Sequence, residues 1–217
     1  MENDVKEFLS ELLKQLKSID YIKPEDIPNI DLYMDQVTTF MDEQLAASKR
    51  YESDKILTKT MINNYAKNNL LPSPDKKQYS KEHVLTLLFI YYFKNILSIN
   101  DIRSILNPLT EKYFGNDDGF TMQDVYTEVF SLEAEESQKL LKDLGKKYKI
   151  AGETFEDFPD EDQKFLHTFS FICMLSFDVY IKKMLIERMI DYLNEEKEAS
   201  SHENTHSGKE SKKTGSN

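Results

Sequence analysis

Apolar positions recur along most of the chain with the three- and four-residue spacing of amphipathic helices. Gly and Pro, which interrupt helices, are scarce, with six of each among 217 residues. We therefore expect a mostly helical protein. The pattern predicts helices over about residues 3–19, 31–47, 58–69, 98–108 and 160–196, and further helices that begin at Ser80 and Thr121.

Polar residues and prolines set the expected helix ends. Asp31 and Thr58 are residues that accept an N-cap hydrogen bond, and Pro108 is expected to stop the helix that precedes it. Residues 48–55 are polar and charged, which favours a linker or a frayed turn. Residues 70–79 contain two prolines, Ser and Asp, which favours a turn-rich hairpin or loop. Residues 197–217 lack periodicity and are predicted to be a disordered tail.

The last helix contains the longest uncharged stretch of the chain, the thirteen residues from Phe165 to Phe177. It is apolar on all sides, so we expect it to be buried on more than one face. A membrane span needs about 18 apolar residues, so we expect no membrane insertion. Three interpretations remain open: packing against residues 121–149, a dimer core, or a pocket for a small apolar effector. The candidate dimer or effector face consists of Phe169, Met174, Phe177 and Tyr180.

Net charge is −11, yet it is unevenly distributed. Residues 49–81 carry eight basic and three acidic residues, so this segment has a charge of +5 and the remaining chain −16. A basic segment on an acidic protein is typical of a local contact with a polyanion. A chance cluster of lysines on a solvated face would give the same count.

Candidate catalytic and metal-binding chemistry is sparse. The single cysteine, Cys173, excludes a disulfide framework and a cysteine-based zinc site. His167 lies six residues from Cys173, about 240° around a helix, so the two do not share a metal-binding face. Gly-rich phosphate loops and nucleophile elbows are absent from the sequence. We expect no enzymatic activity and no cofactor. The acidic start, without an apolar stretch, predicts no signal peptide and a cytoplasmic protein.

The short helix predicted at 58–69 has one polar and one apolar half when its residues are placed at about 100° intervals. Lys and Asn side chains contact phosphates, and Asn also makes bidentate contacts to adenine. An ordinary solvated helix face has the same pattern, so the helix alone leaves both interpretations open. The polar half consists of Lys59, Thr60, Asn63, Asn64 and Lys67, and the apolar half of Met61, Ile62 and Tyr65.

The residues that follow this helix form a recognisable succession. Tyr65 is followed by Leu70-Leu71-Pro72, then by Lys77-Gln78-Tyr79-Ser80, and then by a helix with Ile102, Ile105 and Leu106. This succession resembles the DNA-binding domain of MerR-type winged-helix transcription regulators. It is also similar to an uncharacterised bacterial domain of unknown function with the same helix-turn-helix. Asn63 and Asn64 stand where the MerR family has Arg and Tyr, Asn69 replaces its turn Gly, and residues 46–57 are an insert.

The resemblance implies an all-α fold built on a winged helix-turn-helix, with a small two-stranded wing and a helical C-terminal region. The expected divisions are 1–29 (first helix and linker), 30–108 (winged helix-turn-helix), 109–196 (dimerisation or effector region) and 197–217 (tail). In this interpretation the polar half of the short helix enters the major groove of double-stranded DNA. Lys76 and Lys77 hold the phosphates or the minor groove, and Ile62, Tyr65 and Tyr79 support the helix from below.

We accordingly expect a transcription regulator that binds double-stranded DNA as a homodimer, with an apolar effector as a candidate ligand. The alternative is a protein-interaction adaptor. There the helix-turn-helix is only a framework, and the acidic part of the chain binds a basic partner.

Overall fold

Helices form most of the protein in the computed structural model, which confirms the prediction from periodicity. The structure describes Ser10, Glu11, Lys14 and residues 21–116 and 119–210. Apart from these three positions, the predicted helix over residues 3–19 lies outside the described residues. Residues 211–217 of the predicted tail also lie outside them. The elements are β1 (Leu32–Tyr33), α1 (Met34–Gln44), α2 (Lys59–Lys67), β2 (Gln78–Tyr79), α3 (Lys81–Phe93), α4 (Ile99–Tyr113), α5 (Met122–Ser131), α6 (Glu133–Gly152) and α7 (Asp160–Glu210).

Helix α3 forms the centre of the core. Every residue from His83 to Tyr91 is buried. This helix contacts β2, α4 and α5, so its apolar surface is enclosed on several sides. The ring of Phe89, in this helix, lies 5.4 Å from that of Tyr126 in α5. The Tyr126 hydroxyl donates a hydrogen bond to the carbonyl of Ile22 over 2.8 Å, which joins the segment before β1 to α5.

The small sheet differs in its pairing from the predicted wing. β1 and β2 pair antiparallel, with Leu32 opposite Tyr79 and Tyr33 opposite Gln78. Residues 70–79 therefore supply one strand only, and the second precedes α1. Asp31 does not cap α1, because residues 32–33 are extended; the Gln36 side chain instead accepts the backbone N–H of Tyr33 over 2.8 Å. A strand pair this distant in sequence leaves no local signal.

Pro108 does not end α4, contrary to the prediction. The helix continues through it to Tyr113. Proline lacks the amide hydrogen that would bond the carbonyl four residues earlier, which belongs to Ser104. That carbonyl accepts a hydrogen bond from Lys197 Nζ over 3.0 Å, so the polar group remains satisfied.

Helix α7 is longer and less buried than predicted. It continues past Glu196 to Glu210, which corrects the disordered tail for residues 197–210. Glu, Lys and Ala favour helix, and no Gly or Pro intervenes before Gly208. α6 packs along one side of its N-terminal part, and α4 contacts its C-terminal part. Nevertheless many of its apolar side chains are exposed, so the expected burial on more than one face is wrong for the single chain. None of the described helices is long and apolar enough to cross a membrane.

Candidate nucleic-acid interface

Helix α2 presents its polar half to solvent. Thr58 is the N-cap, as predicted, and its Oγ1 accepts the backbone N–H of Met61 over 3.2 Å. Ile62 and Tyr65 are buried on the opposite side, where they hold the helix against the core. The predicted amphipathic division is therefore confirmed. The exposed side chains are those of Lys59, Thr60, Asn63, Asn64 and Lys67.

The C-terminal end of α2 is fixed by its own backbone. Asn69 adopts a left-handed conformation with φ of 55°, as expected for a residue in place of a turn glycine. The N–H of Leu70 donates to the carbonyl of Tyr65 over 2.9 Å, and the N–H of Asn69 donates to that of Ala66 over 3.1 Å. These two bonds form a Schellman motif, and Leu70 is buried beneath it. The orientation of the exposed face is therefore set by the fold.

A guanidinium group lies at the same end of the helix. Arg103 on α4 donates from Nε to the carbonyl of Asn68 over 2.9 Å. This bond satisfies a terminal carbonyl of α2 and places a cation at the negative end of the helix dipole. Sequence reasoning did not assign a role to Arg103. Its position 35 residues along the chain from Asn68 left no local pattern to detect.

The next cationic pair lies at the tip of a tight turn. Asp75 and Gln78 form a bridge, and the N–H of Gln78 donates to the carbonyl of Asp75 over 2.7 Å. The two central residues, Lys76 and Lys77, have φ of 46° and 66°. Gly, Asn and Asp dominate such positions because their side chains tolerate left-handed backbone. Two lysines there carry strain, and both side chains are exposed.

One carboxylate approaches the exposed cations of α2. Lys59 forms an ion pair with Asp35 of α1, and both side chains are mostly exposed. Exposed pairs of this kind contribute little and exchange readily with other anions. Within the described part of the chain, Lys67, Lys76 and Lys77 form no ion pair, so their charges face solvent.

The insert between α1 and α2 is held in place and is not frayed. Lys94 of α3 donates from Nζ to the carbonyl of Ile56 over 2.6 Å. Lys49 pairs with Asp42 over 2.7 Å, which lowers the pKa of that carboxyl. The hydroxyls of Ser48 and Tyr91 are hydrogen-bonded to each other. An open cleft of about 390 Å³ remains between α1 and the start of α2, lined by Thr38, Thr39, Asp42, Glu43, Lys55, Leu57, Thr58 and Lys59.

His83 lies behind the turn. It is buried, with ring centroids of Tyr79 and Phe114 at 5.5 and 4.7 Å. Its Nδ1 accepts the backbone N–H of Ser80 over 3.0 Å, completing the cap of α3. Its Nε2 has no hydrogen-bond partner among the described residues. Burial lowers the pKa of His83, so the imidazole is held neutral in the fold.

The four residues predicted as a dimer or effector face do not form one face. Phe169, Phe177 and Tyr180 are exposed on α7, whereas Met174 is half-buried on the other side of the helix, towards α6. A helix advances about 100° per residue, which separates Phe169 from Met174 by about 140°. A pocket lined by all four is therefore excluded.

Comparison with known proteins gives one match. Residues 22–129 match the family model of a domain of unknown function, DUF1836. No MerR-type or other helix-turn-helix family is found, so the assignment to MerR-type regulators is corrected. The short motifs that carried it are spread over turns and helix ends, where unrelated helical proteins use the same residues. Neither the curated proteins nor the solved structures contain a significant match.

Proposed function

We propose that the protein binds double-stranded DNA through the exposed face of α2 and the Lys76–Lys77 turn, and acts in transcription regulation as a homodimer. The observation that supports the proposal is the division of α2. Its Lys, Thr and Asn side chains are exposed, while Ile62 and Tyr65 anchor it to the core. In this proposal α1, α2 and the small sheet serve together as a winged helix-turn-helix.

Helix α2 suits the major groove in size and chemistry. Its nine residues are about 13 Å long, and a helix with its side chains is about 10–12 Å across. The major groove is about 12 Å wide and admits one helix. Asn63 and Asn64 carry amides that make bidentate contacts to adenine, and Thr60 suits a thymine methyl or a phosphate. The two amides favour adenine, and no arginine lies on this face to make the bidentate contact to guanine, which leaves that contact to Lys59 and Lys67.

Lysines at both ends of this surface would neutralise phosphates. Lys59 and Lys67 lie at the two ends of α2, and Lys76 and Lys77 lie at the tip of the turn. Four such contacts predict a slope of log K against log salt of about −3.6, at −0.9 for each phosphate. The charge of −16 on the remaining chain would repel DNA and so favour approach through this surface.

The test compares two double substitutions with equal change in charge. Lys59→Glu with Lys67→Glu reverses charges on the α2 face. Lys142→Glu with Lys146→Glu is the matched control, on an exposed side of α6. Binding to a pool of random duplexes is measured by fluorescence anisotropy over a range of salt concentrations. We expect the α2 variant to lose at least 100-fold in affinity and the control to change only slightly.

The operator is identified by recovering genomic DNA bound to the tagged protein. A flat salt response, or equal losses in both variants, contradicts the proposal. Such a result would favour the adaptor, in which the acidic part of the chain binds a basic partner and the α2 variant retains that partner.

A further inference from the structure

In the part of the chain that the structure describes, a mainly apolar stripe in the N-terminal half of α7 is left uncovered. The residues follow the four- and three-residue spacing of a helix-packing seam, and most are strongly exposed, with Phe165 at 71% and Val179 at 63%. Phe177 and Tyr180 flank the seam and are exposed to 65% and 63%. We call this surface the α7 stripe, and it consists of Phe165, Phe169, Ile172, Ser176 and Val179 with the flanking Phe177 and Tyr180.

The stripe is large enough for a stable protein interface. An aromatic side chain buries about 150–250 Å² when it is fully covered. The four aromatic residues of the stripe are each at least half exposed, so together they present about 500 Å² of apolar surface. Ile172 and Val179 bring the total to about 700 Å². The largest apolar patch of an ordinary monomer is about 300–600 Å², and a standard interface buries about 800 Å² on each partner.

The same seam is already a packing face further along α7. Its continuation through Lys183 and Ile186 reaches Ile190, which is buried. Here α4 lies against the helix, and Lys197 bonds the Ser104 carbonyl. The opposite side of α7 is covered by α6, where Lys147 forms ion pairs with Asp143 and Asp178. Among the described residues, the seam therefore has a partner at its C-terminal end and lacks one from Phe165 to Val179.

We propose that a second copy of this chain covers the α7 stripe, with the two α7 helices antiparallel about a two-fold axis close to residue 174. In this register Phe169 packs against the partner's Val179, and Ile172 against the partner's Ser176. The small Ser176 allows close approach where the two helices cross. Phe165 meets the partner's Lys183, whose methylene groups lie across the ring.

The position of α4 dictates the antiparallel direction. The part of the chain around α4 lies on the seam side of α7 near Ile190. Two parallel helices joined through this side would bring both α4 regions to the same end, where they would collide. Antiparallel helices place them at opposite ends. They also pair opposite helix dipoles and bring the acidic first turn, Asp160–Asp162, close to the partner's Lys182 and Lys183.

The first experiment measures the mass of the full chain in solution by sedimentation velocity. We expect a dimer. Phe169→Asp, in the stripe, should raise its dissociation constant about 30-fold or more, because it puts a charge into the centre of the interface. Phe120→Asp is the control, since Phe120 is an exposed aromatic residue outside α7. A monomer, or a dimer that Phe169→Asp leaves intact, overturns the proposal. So does a monomer that co-purifies with an apolar small molecule on the stripe.

The second experiment tests direction with the only cysteine of the chain. Cys173 is exposed at the edge of the stripe, between Ile172 and Ser176 along the helix, so a short bis-maleimide should link the two copies through it. In a Cys173→Ser background, Glu161→Cys should give no such product. The two introduced cysteines would lie about 39 Å apart along the antiparallel helices, at 1.5 Å per residue. Efficient linkage through Glu161→Cys would show a parallel pair and overturn the antiparallel register.

This proposal and the DNA-binding proposal fail separately. If Phe169→Asp makes the protein monomeric but leaves it able to bind a single half-site, the stripe serves association. If Lys59→Glu then lowers the DNA affinity of this monomer, the DNA interface is also as proposed. An antiparallel dimer without DNA affinity would support the dimer proposal and contradict the DNA-binding proposal.

Discussion

Lys197 of α7 donates a hydrogen bond to the carbonyl of Ser104 in α4, across 93 positions of sequence. This is the carbonyl that Pro108 leaves without an intrahelical partner. The bond therefore joins α7 to α4 at the position where Pro108 interrupts the intrahelical hydrogen bonds of α4. It also fixes the C-terminal part of α7 relative to the helices that support α2.

A double-mutant cycle tests this relationship. Lys197→Met should lower the free energy of unfolding by about 1 kcal/mol, because the Ser104 carbonyl loses its donor. In a Pro108→Ala background the amide of residue 108 supplies the missing bond, so Lys197→Met should then cost almost nothing. Urea denaturation of the four proteins gives the coupling. An equal cost in both backgrounds would show that Lys197 acts independently of the proline.

Relieving the strain in the Lys76–Lys77 turn should make the fold more stable and weaken its binding to DNA. Replacing Lys76 with Asn and Lys77 with Gly supplies residues that accept the left-handed backbone, which should raise the free energy of unfolding by about 1 kcal/mol. The same double substitution removes two candidate phosphate contacts, so the slope of log K against log salt should become less negative by about 1.8. Thermal unfolding and anisotropy titrations measure the two effects. An unchanged salt slope would show that the turn does not contact the phosphates.

Asp35 should weaken DNA binding because it pairs with Lys59. Asp35→Asn removes the competing carboxylate, and we expect affinity to increase about two- to fivefold, the range of an exposed ion pair. Glu128→Gln makes the same charge change on α5 and is the control. Titrations with one duplex at low salt compare the two variants. A decrease on Asp35→Asn would mean that the carboxylate itself contributes to binding.

His83 should make the fold sensitive to mild acid. Burial depresses the pKa of His83 below its ordinary value near 6.5, so the unfolded chain binds a proton more readily than the folded one. Stability is therefore full above pH 6.5 and falls as the pH decreases towards the folded-state pKa, by at most about 1.4 kcal/mol per pH unit. Urea midpoints at pH 7.5 and 5.5 measure this loss.

His83→Gln is the matched variant, since Gln at this position accepts the Ser80 amide without titrating. Its urea midpoint should depend much less on pH between 5.5 and 7.5. Equal pH dependence in both proteins would assign the effect to other groups.

Local signals in the sequence determined the helical class and the face of α2. Thr58 at the N-cap of α2, Asn69 in the left-handed position and Thr121 at the start of α5 each act within a few residues, and each is present in the structure. The division of α2 into Lys, Thr and Asn on one side and Ile62 and Tyr65 on the other also follows from periodicity alone. These features depend on neighbouring residues, whose spacing the sequence states directly.

Tertiary contacts decided the remaining features. The strand at residues 78–79 pairs with residues 32–33 and not with a second strand of the predicted wing, and a lysine 89 positions beyond Pro108 bonds the Ser104 carbonyl that the proline leaves without an intrahelical donor. Arg103 reaches the end of α2 from another helix, and the described residues cover the apolar stretch of α7 on one side only. Each depends on groups far apart in sequence that meet only after the chain has folded. The sequence states which side chains are apolar or charged, whereas packing alone determines which of them are left to bind a partner.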